Sequence, residues 1–104
     1  MFGFFEKMDT ILPADLERQL KKNKLTVLDV RDTNEYASGH IPNAINYPLA
    51  DIENYQGAKD QPTYVVCQGG VRSKKAAKIL QAKGYQVVNV TGGMNLWQGS
   101  LSKK

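Results

Sequence analysis

The chain has 104 residues and a mass of 11.6 kDa, with 41% hydrophobic residues, 23% charged residues and a formal net charge of +4. That is the size and balance of one small globular domain, able to bury about 65% of its unfolded surface. It excludes a disordered, collagenous, coiled-coil or membrane-spanning chain. A single cysteine excludes an internal disulfide, and one cysteine with one histidine cannot build a structural zinc site. The expectation is a soluble, reduced, cytoplasmic monomer with no metal, no cofactor, no nucleic-acid partner and no membrane partner.

The apolar opening Met1-Phe2-Gly3-Phe4-Phe5 is cut by Glu6 and Lys7 and is not read as a signal peptide. Phe2, Phe4 and Phe5 either seat on a partner or membrane or pack against the domain. Pro13 followed by Ala14 to Lys22 predicts a helix, with proline at its first turn and Leu12, Leu16 and Leu20 on one stripe. Leu25 to Val30 predicts a buried strand. Asn34 to Ser38 predicts a short helix stopped by Gly39. Ile41 to Pro48 is rich in turn residues, with Ile45 in a short strand, and Leu49 to Tyr55 predicts another short helix. Thr63-Tyr64-Val65-Val66 is a β-branched and aromatic run bounded by Pro62 and by Gly69-Gly70. Val71 to Lys83 is the clearest helix: Ala76, Ala77, Ile79 and Leu80 form its apolar stripe, Lys74, Lys75 and Lys78 its wet side, and Gly84 its stop. Gln86 to Val90 predicts a third strand, and Gly92-Gly93 opens a helical turn through Trp97, itself either core or a lid. Strands that are continuous apolar runs and alternate with helices predict a parallel sheet covered on both faces. Ligands of such sheets bind beyond the carboxyl ends of the strands.

The chemistry concentrates where the charge changes sign. Residues 1–60 hold ten acids and seven basic residues, whereas residues 61–104 hold seven basic residues and no acid. Cys67 lies in that basic half, between a predicted strand and a predicted helix start, in the run Cys67-Gln68-Gly69-Gly70-Val71-Arg72-Ser73. A helix start offers unpaired N–H groups and a positive dipole end, and two glycines let a loop curl so that successive N–H groups point inward. A cysteine in such a cradle is expected to react as the thiolate. Arg72 either holds the loop shape or clamps an anion with its planar fork, and Ser73 either caps the helix or donates to the sulfur. The bland alternative is a buried strand-end cysteine followed by an ordinary Gly-Gly turn. Nucleic-acid binding by the basic half lacks interleaved aromatics and any known motif.

At these residues the sequence resembles the rhodanese family, sulfurtransferases with a Cys-x-x-Gly-x-Arg-Ser loop matched by Cys67, Gly70, Arg72 and Ser73. The resemblance continues in Leu28-Asp29-Val30-Arg31, Glu35-Tyr36, and Gly39-His40-Ile41-Pro42 with Ala44, Asn46 and Pro48, and then in Gly92-Gly93 followed by Trp97. It is clearest over residues 25–97, within a single rhodanese-like domain spanning 1–104. It implies an α/β three-layer sandwich around a five-stranded, mainly parallel sheet. It also implies that Cys67 accepts a sulfane sulfur from a small anionic donor such as thiosulfate, becomes a persulfide, and passes the outer sulfur to cyanide, an external thiol or a protein acceptor. The inward N–H groups of Gln68, Gly69, Gly70, Val71, Arg72 and Ser73 would stabilise that anionic intermediate.

Four residues separate Cys67 from Arg72, one fewer than in many cysteine phosphatases, and the shorter cradle favours sulfur over phosphate. A persulfide carrier serving a protein partner, and a small phosphatase or arsenate reductase, are the alternatives. Small residues at 69 and 70 would leave the loop open to a bulky partner. Asn43 stands where many rhodanese-like sequences have glycine, and asparagine tolerates the left-handed conformation such a turn needs. His40 could pair with a cysteine, though the resemblance implies a structural turn residue. Arg31 and Glu35 are expected to form an ion pair, with Asp29 and Arg31 supporting the active loop. Asn89-Val90-Thr91 fits a glycosylation acceptor but falls in a predicted strand, and is set aside.

Overall fold

A computed structural model describes residues 8–103, so the Phe2, Phe4 and Phe5 cluster lies outside the described residues. Five short strands form the sheet: β1 (Asp9–Ile11), β2 (Thr26–Asp29), β3 (Ile45–Asn46), β4 (Thr63–Val66) and β5 (Val87–Val90). Their spatial order is β1-β5-β4-β2-β3, and every pairing is parallel. The sequence expectation of a mainly parallel five-stranded sheet therefore holds; one isolated antiparallel bridge, His40 to Ser102, lies outside it.

The helices are α1 (Pro13–Leu20), α2 (Thr33–Ser38) and α3 (Val71–Ala82), with 3₁₀ turns at Leu49–Asn54 and Gly93–Leu96. The sheet is covered on both faces. On one face Val65, Cys67, Leu28 and Val87 pack against Ala76, Ala77 and Leu80 of α3 and Ile52 of the first 3₁₀ turn. On the other, Val27, Tyr64, Val66 and Val90 pack against Leu16 of α1 and Ile41, with Trp97 partly buried beside them. Trp97 is thus part of the core facing α1, and its Nε1 donates to Ser100 O at 3.0 Å.

Four local expectations need correction. Leu12 is not on the buried stripe of α1: Pro13 is the first helical residue, which leaves Leu12 as the extended N-cap and exposed. The helix also ends at Leu20, short of Lys22. Strand β1 was not foreseen; its three residues carry no apolar pattern and are ordered by their register on β5, Asp9 against Val88 and Ile11 against Val90. The Arg31–Glu35 ion pair does not form. Arg31 precedes α2, so helical i,i+4 spacing does not apply to it, and it pairs instead with Asp29.

Asn43 adopts φ +72°, the left-handed conformation expected of it, and Gly39 closes α2 at φ +155°. His40 is a structural residue. It is buried, its ring stacks on Tyr36 at 3.6 Å, its Nδ1 lies 2.8 Å from Tyr36 O, and its backbone exchanges hydrogen bonds with Ser102.

Candidate active site

Strand β4 ends at Val66, and the chain then turns through Cys67 to Gly70 before α3 begins at Val71. The turn is possible because Gly70, the N-cap of α3, sits at φ +107°, which a side chain would resist. The outcome is a small cradle at the carboxyl edge of the sheet, with Cys67 at its base and 1% exposed. Its Sγ accepts the Gly70 N–H at 3.0 Å and lies 3.3 Å from Ser73 Oγ. Ser73 Oγ accepts from the Cys67 thiol and donates its own proton to Gly70 O at 3.2 Å, so serving a thiolate would mean turning that proton away from the loop. Ser73 does not cap α3, which has no side-chain cap. The first helical N–H groups, at Val71, Arg72 and Ser73, have no partner within the helix.

A chain of polar side chains supports the cradle from β2. Asp29 is fully buried, and Arg31 nearly so. The Arg31 guanidinium donates to both Asp29 carboxylate oxygens, Nε at 3.0 and 3.2 Å and one terminal nitrogen at 2.8 Å. It also donates to Gly39 O at 2.7 Å and to Gln68 Oε1 at 3.0 Å. Asn46 Nδ2 donates to the Asp29 and Arg31 carbonyls, fixing the strand end from β3. Asp29 therefore reaches the loop only through Arg31, and Arg31 reaches it through the Gln68 side chain.

The second brace was not anticipated. Gln68 Nε2 donates to Asn95 Oδ1 at 2.6 Å, while the Met94 and Asn95 N–H groups donate to the carbonyls of Cys67 and Gln68 at 2.8 and 3.0 Å. Gly93, at φ +58°, makes this approach possible: a Cβ there would stand 2.2 Å from Cys67 O. The signal available in the sequence was the glycine pair one residue after β5, the neighbour of the strand that leads into Cys67. Nothing in the sequence marked Met94 or Asn95.

Arg72 points its fork at α2, not at open solvent. Its two terminal nitrogens meet the two Glu35 oxygens at 2.7 and 3.0 Å. Glu35 also accepts the Asp32 N–H, as half of a capping box at the start of α2. The Arg72 hydrogen bond holds the Glu35 carboxyl down to about 2, against the opposing effect of burial. Reciprocally, the Glu35 hydrogen bond raises Arg72, with a smaller contribution from nearby Cys67. Of the two roles open to Arg72, the geometry favours holding the loop.

Around the mouth, Val71 is 69% and Leu96 55% exposed. Lys74 and Lys75 are exposed on the first turns of α3. Among the described residues no group of histidine, cysteine, aspartate and glutamate is placed to hold a metal ion, and no helix is long and apolar enough to cross a membrane.

The model of the rhodanese-like domain matches residues 12–100. The uncharacterised protein YqhL of Bacillus subtilis is 37% identical over 100 residues, covering 93% of this chain and 78% of that protein. The thiosulfate sulfurtransferase GlpE of Pseudoalteromonas translucida is 35% identical over 88 residues, covering 82% of this chain and 84% of that protein. Among solved structures, a rhodanese-like domain protein from Staphylococcus aureus superposes with a TM-score of 0.86 at 39% identity, covering 93% of this chain and 99% of that one. With a match across nearly its whole length, the chain belongs to the rhodanese-like sulfurtransferase family.

Proposed function

We propose that this chain moves a sulfane sulfur from a small anionic donor such as thiosulfate to a nucleophilic acceptor through a persulfide on Cys67. The observation that carries the reading is the Cys67 Sγ held at the base of the loop, accepting the Gly70 N–H at 3.0 Å and lying 3.3 Å from Ser73 Oγ. In the first half-reaction the Cys67 thiolate attacks the outer sulfur of thiosulfate. The new Cys67 S–S bond forms, the thiosulfate S–S bond breaks, and sulfite leaves with the electron pair. In the second, cyanide attacks the outer sulfur of the persulfide, thiocyanate leaves, and Cys67 returns as thiolate. The persulfide carries its negative charge on an atom about 2 Å beyond Sγ. Inward N–H groups at a helix start stabilise charge at that position.

The commitment of the Arg72 fork to Glu35 weighs against a phosphatase, which would need that arginine on the substrate. A second reading, delivery of the persulfide sulfur to a protein partner, draws support from the exposed Val71 and Leu96 at the loop mouth. Either way the chain works as a single domain and monomer. Its one thiol must stay reduced, which suits the cytoplasm.

The test is the intact mass of the reduced protein before and after thiosulfate, and again after cyanide. One added sulfur atom, removed by cyanide with release of thiocyanate and absent in Cys67→Ser, is expected. No gain in mass, or a gain that persists in Cys67→Ser, would sink the proposal.

A further inference from the structure

Both guanidiniums beside the active loop are already committed. The Arg72 fork meets Glu35, and Arg31 meets Asp29, Gly39 O and Gln68 Oε1. A small anionic donor therefore finds neither arginine free to clamp it, and Gln68, Gly69, Gly70 and Val71 carry no charged side chain. The Gly70 N–H serves Sγ itself. The sulfonate of a thiosulfate in line with Cys67 would sit farther out, its sulfur about 4 Å beyond Sγ, two S–S lengths away. That group is met either by water or by a neutral donor on the rim of the loop.

Asn95 offers such a donor, and its orientation is dictated from the buried end of β2. Arg31 has only donors, so the Gln68 atom that faces its terminal nitrogen at 3.0 Å is the oxygen. That turns Gln68 Nε2 the other way, where it donates to Asn95 at 2.6 Å, and the Asn95 atom that receives it is Oδ1. Asn95 Nδ2 is left directed away from Gln68, with two protons and no hydrogen-bond partner among the described residues. It stands over the exposed Gly69, where a Cβ would come 3.5 Å from it. The base of the side chain is fixed as well, since the Asn95 N–H donates to Gln68 O at 3.0 Å.

We infer that the Asn95 side-chain amide is a substrate contact that reads oxygen on the leaving group of the sulfur donor, and that Gln68 is the positioning residue that aims it. The inference rests on the sulfur-transfer reading given above and names a specificity determinant of its first half-reaction. As the Cys67 thiolate attacks the outer sulfur of thiosulfate, the new S–S bond forms and the old one breaks. Sulfite takes the electron pair, and Asn95 Nδ2 donates to an oxygen of that departing anion. An inorganic polysulfide loads the same persulfide on Cys67, but what leaves with the electron pair is a shorter polysulfide. It presents only sulfur, a weak acceptor. Asn95 therefore favours donors whose leaving group is an oxyanion over donors made of sulfur alone.

The test is the initial rate at which Cys67 gains its first sulfur, read by intact mass, from thiosulfate and from inorganic tetrasulfide. It is taken on the whole protein as wild type, Asn95→Ala, Asn95→Asp and Gln68→Glu. The readout is the ratio of the two rates. A loop that has merely lost its brace slows both donors alike and leaves the ratio unchanged. So does the charge that an aspartate or glutamate adds, because both donors carry two negative charges. Asn95→Asp keeps an acceptor for Gln68 Nε2 and loses only the N–H pair. Gln68→Glu keeps Asn95 but offers it no donor, so the amide turns its Nδ2 onto the new carboxylate. The thiosulfate-to-tetrasulfide ratio is expected to fall about tenfold in all three variants. Asn95 is exposed, so its replacement leaves the core intact. An unchanged ratio in Asn95→Ala and Asn95→Asp, whatever happens to the separate rates, would overturn the substrate contact. A ratio that falls in those two but not in Gln68→Glu would overturn the aiming role of Gln68. Wild type loaded by tetrasulfide alone would also overturn the contact while leaving sulfur transfer in place, whereas wild type loaded by neither donor would defeat the sulfur-transfer reading itself.

Discussion

Replacing Gly93 by alanine places a methyl carbon 2.2 Å from Cys67 O and 2.8 Å from Gln68 O, both backbone atoms of the active loop. Neither oxygen belongs to a side chain that can swing away, so the loop or the Gly93–Leu96 turn must move. Moving them breaks the bonds from Met94 N to Cys67 O and from Asn95 N to Gln68 O, each worth about 1 kcal/mol. The left-handed φ of +58° adds about 1 kcal/mol for a residue with a Cβ. The total is about 3 kcal/mol, or roughly a 15 °C fall in melting temperature for a domain of this size. Displacing a nucleophile by an ångström costs about a hundredfold in rate, and sulfur loading on Cys67 should fall by that order. The matched control is Gly92→Ala. Its φ of +72° carries similar strain, but its new methyl meets only the exposed Leu96 side chain, which can turn aside. Its cost should be about 1 kcal/mol, with loading within about threefold of wild type. Thermal melts and the initial rate of sulfur loading by intact mass, taken on both variants, decide the matter. Equal loading rates for the two would refute the claim that the Gly93 contact positions the nucleophile.

Arg31→Met leaves the fully buried Asp29 carboxylate without its fork and should cost about 3–5 kcal/mol in urea unfolding. The double variant Asp29→Leu/Arg31→Met should be less destabilised than Arg31→Met, and a larger loss in the double would contradict the pairing. Glu35 is held down to about 2 from 4.5, so its link to Arg72 stabilises the fold fully above about pH 4.5 and is lost as pH falls through about 2. Because the pair is about a third exposed, the stability gap between wild type and Glu35→Gln should be about 1 kcal/mol at pH 6, closing toward pH 2. A gap that widens on acidification would reverse the assignment. Ser73→Ala removes the hydroxyl 3.3 Å from Cys67 Sγ and should slow sulfur loading about tenfold while leaving the circular dichroism spectrum unchanged. Loading at the wild-type rate would leave the Ser73 hydroxyl only its bond to Gly70 O.

What the sequence made legible was set by local chemistry. Thr63–Val66 carries its own β-branched pattern and its own stops, and α3 carries an apolar stripe and a terminal glycine, so both could be placed within a residue. The cradle was legible for the same reason, since Cys67, its glycines, Arg72 and Ser73 are contiguous. What escaped was decided by partners far along the chain. Strand β1 is a strand because β5 accepts it, Asp9 against Val88 and so 79 residues away in sequence. Glu35 was assigned to Arg31, four residues before it, but is taken by Arg72 across 37 residues, while Arg31 turns back two residues to Asp29. The brace from Met94 and Asn95 leaves no local trace, because it is made by backbone N–H groups that every residue possesses.

That brace has a bearing on how the protein comes into being. The carbonyl of the nucleophile itself is bonded by Met94, which lies 27 residues downstream and beyond the last strand. During synthesis, β4, α3 and β5 can all emerge before the groups that fix Cys67 exist. A nascent chain ending before Gly93 would thus carry the thiol and its helix but no finished cradle. Completion of the cradle is therefore coupled to the turn that follows the last strand, and not to the sheet alone.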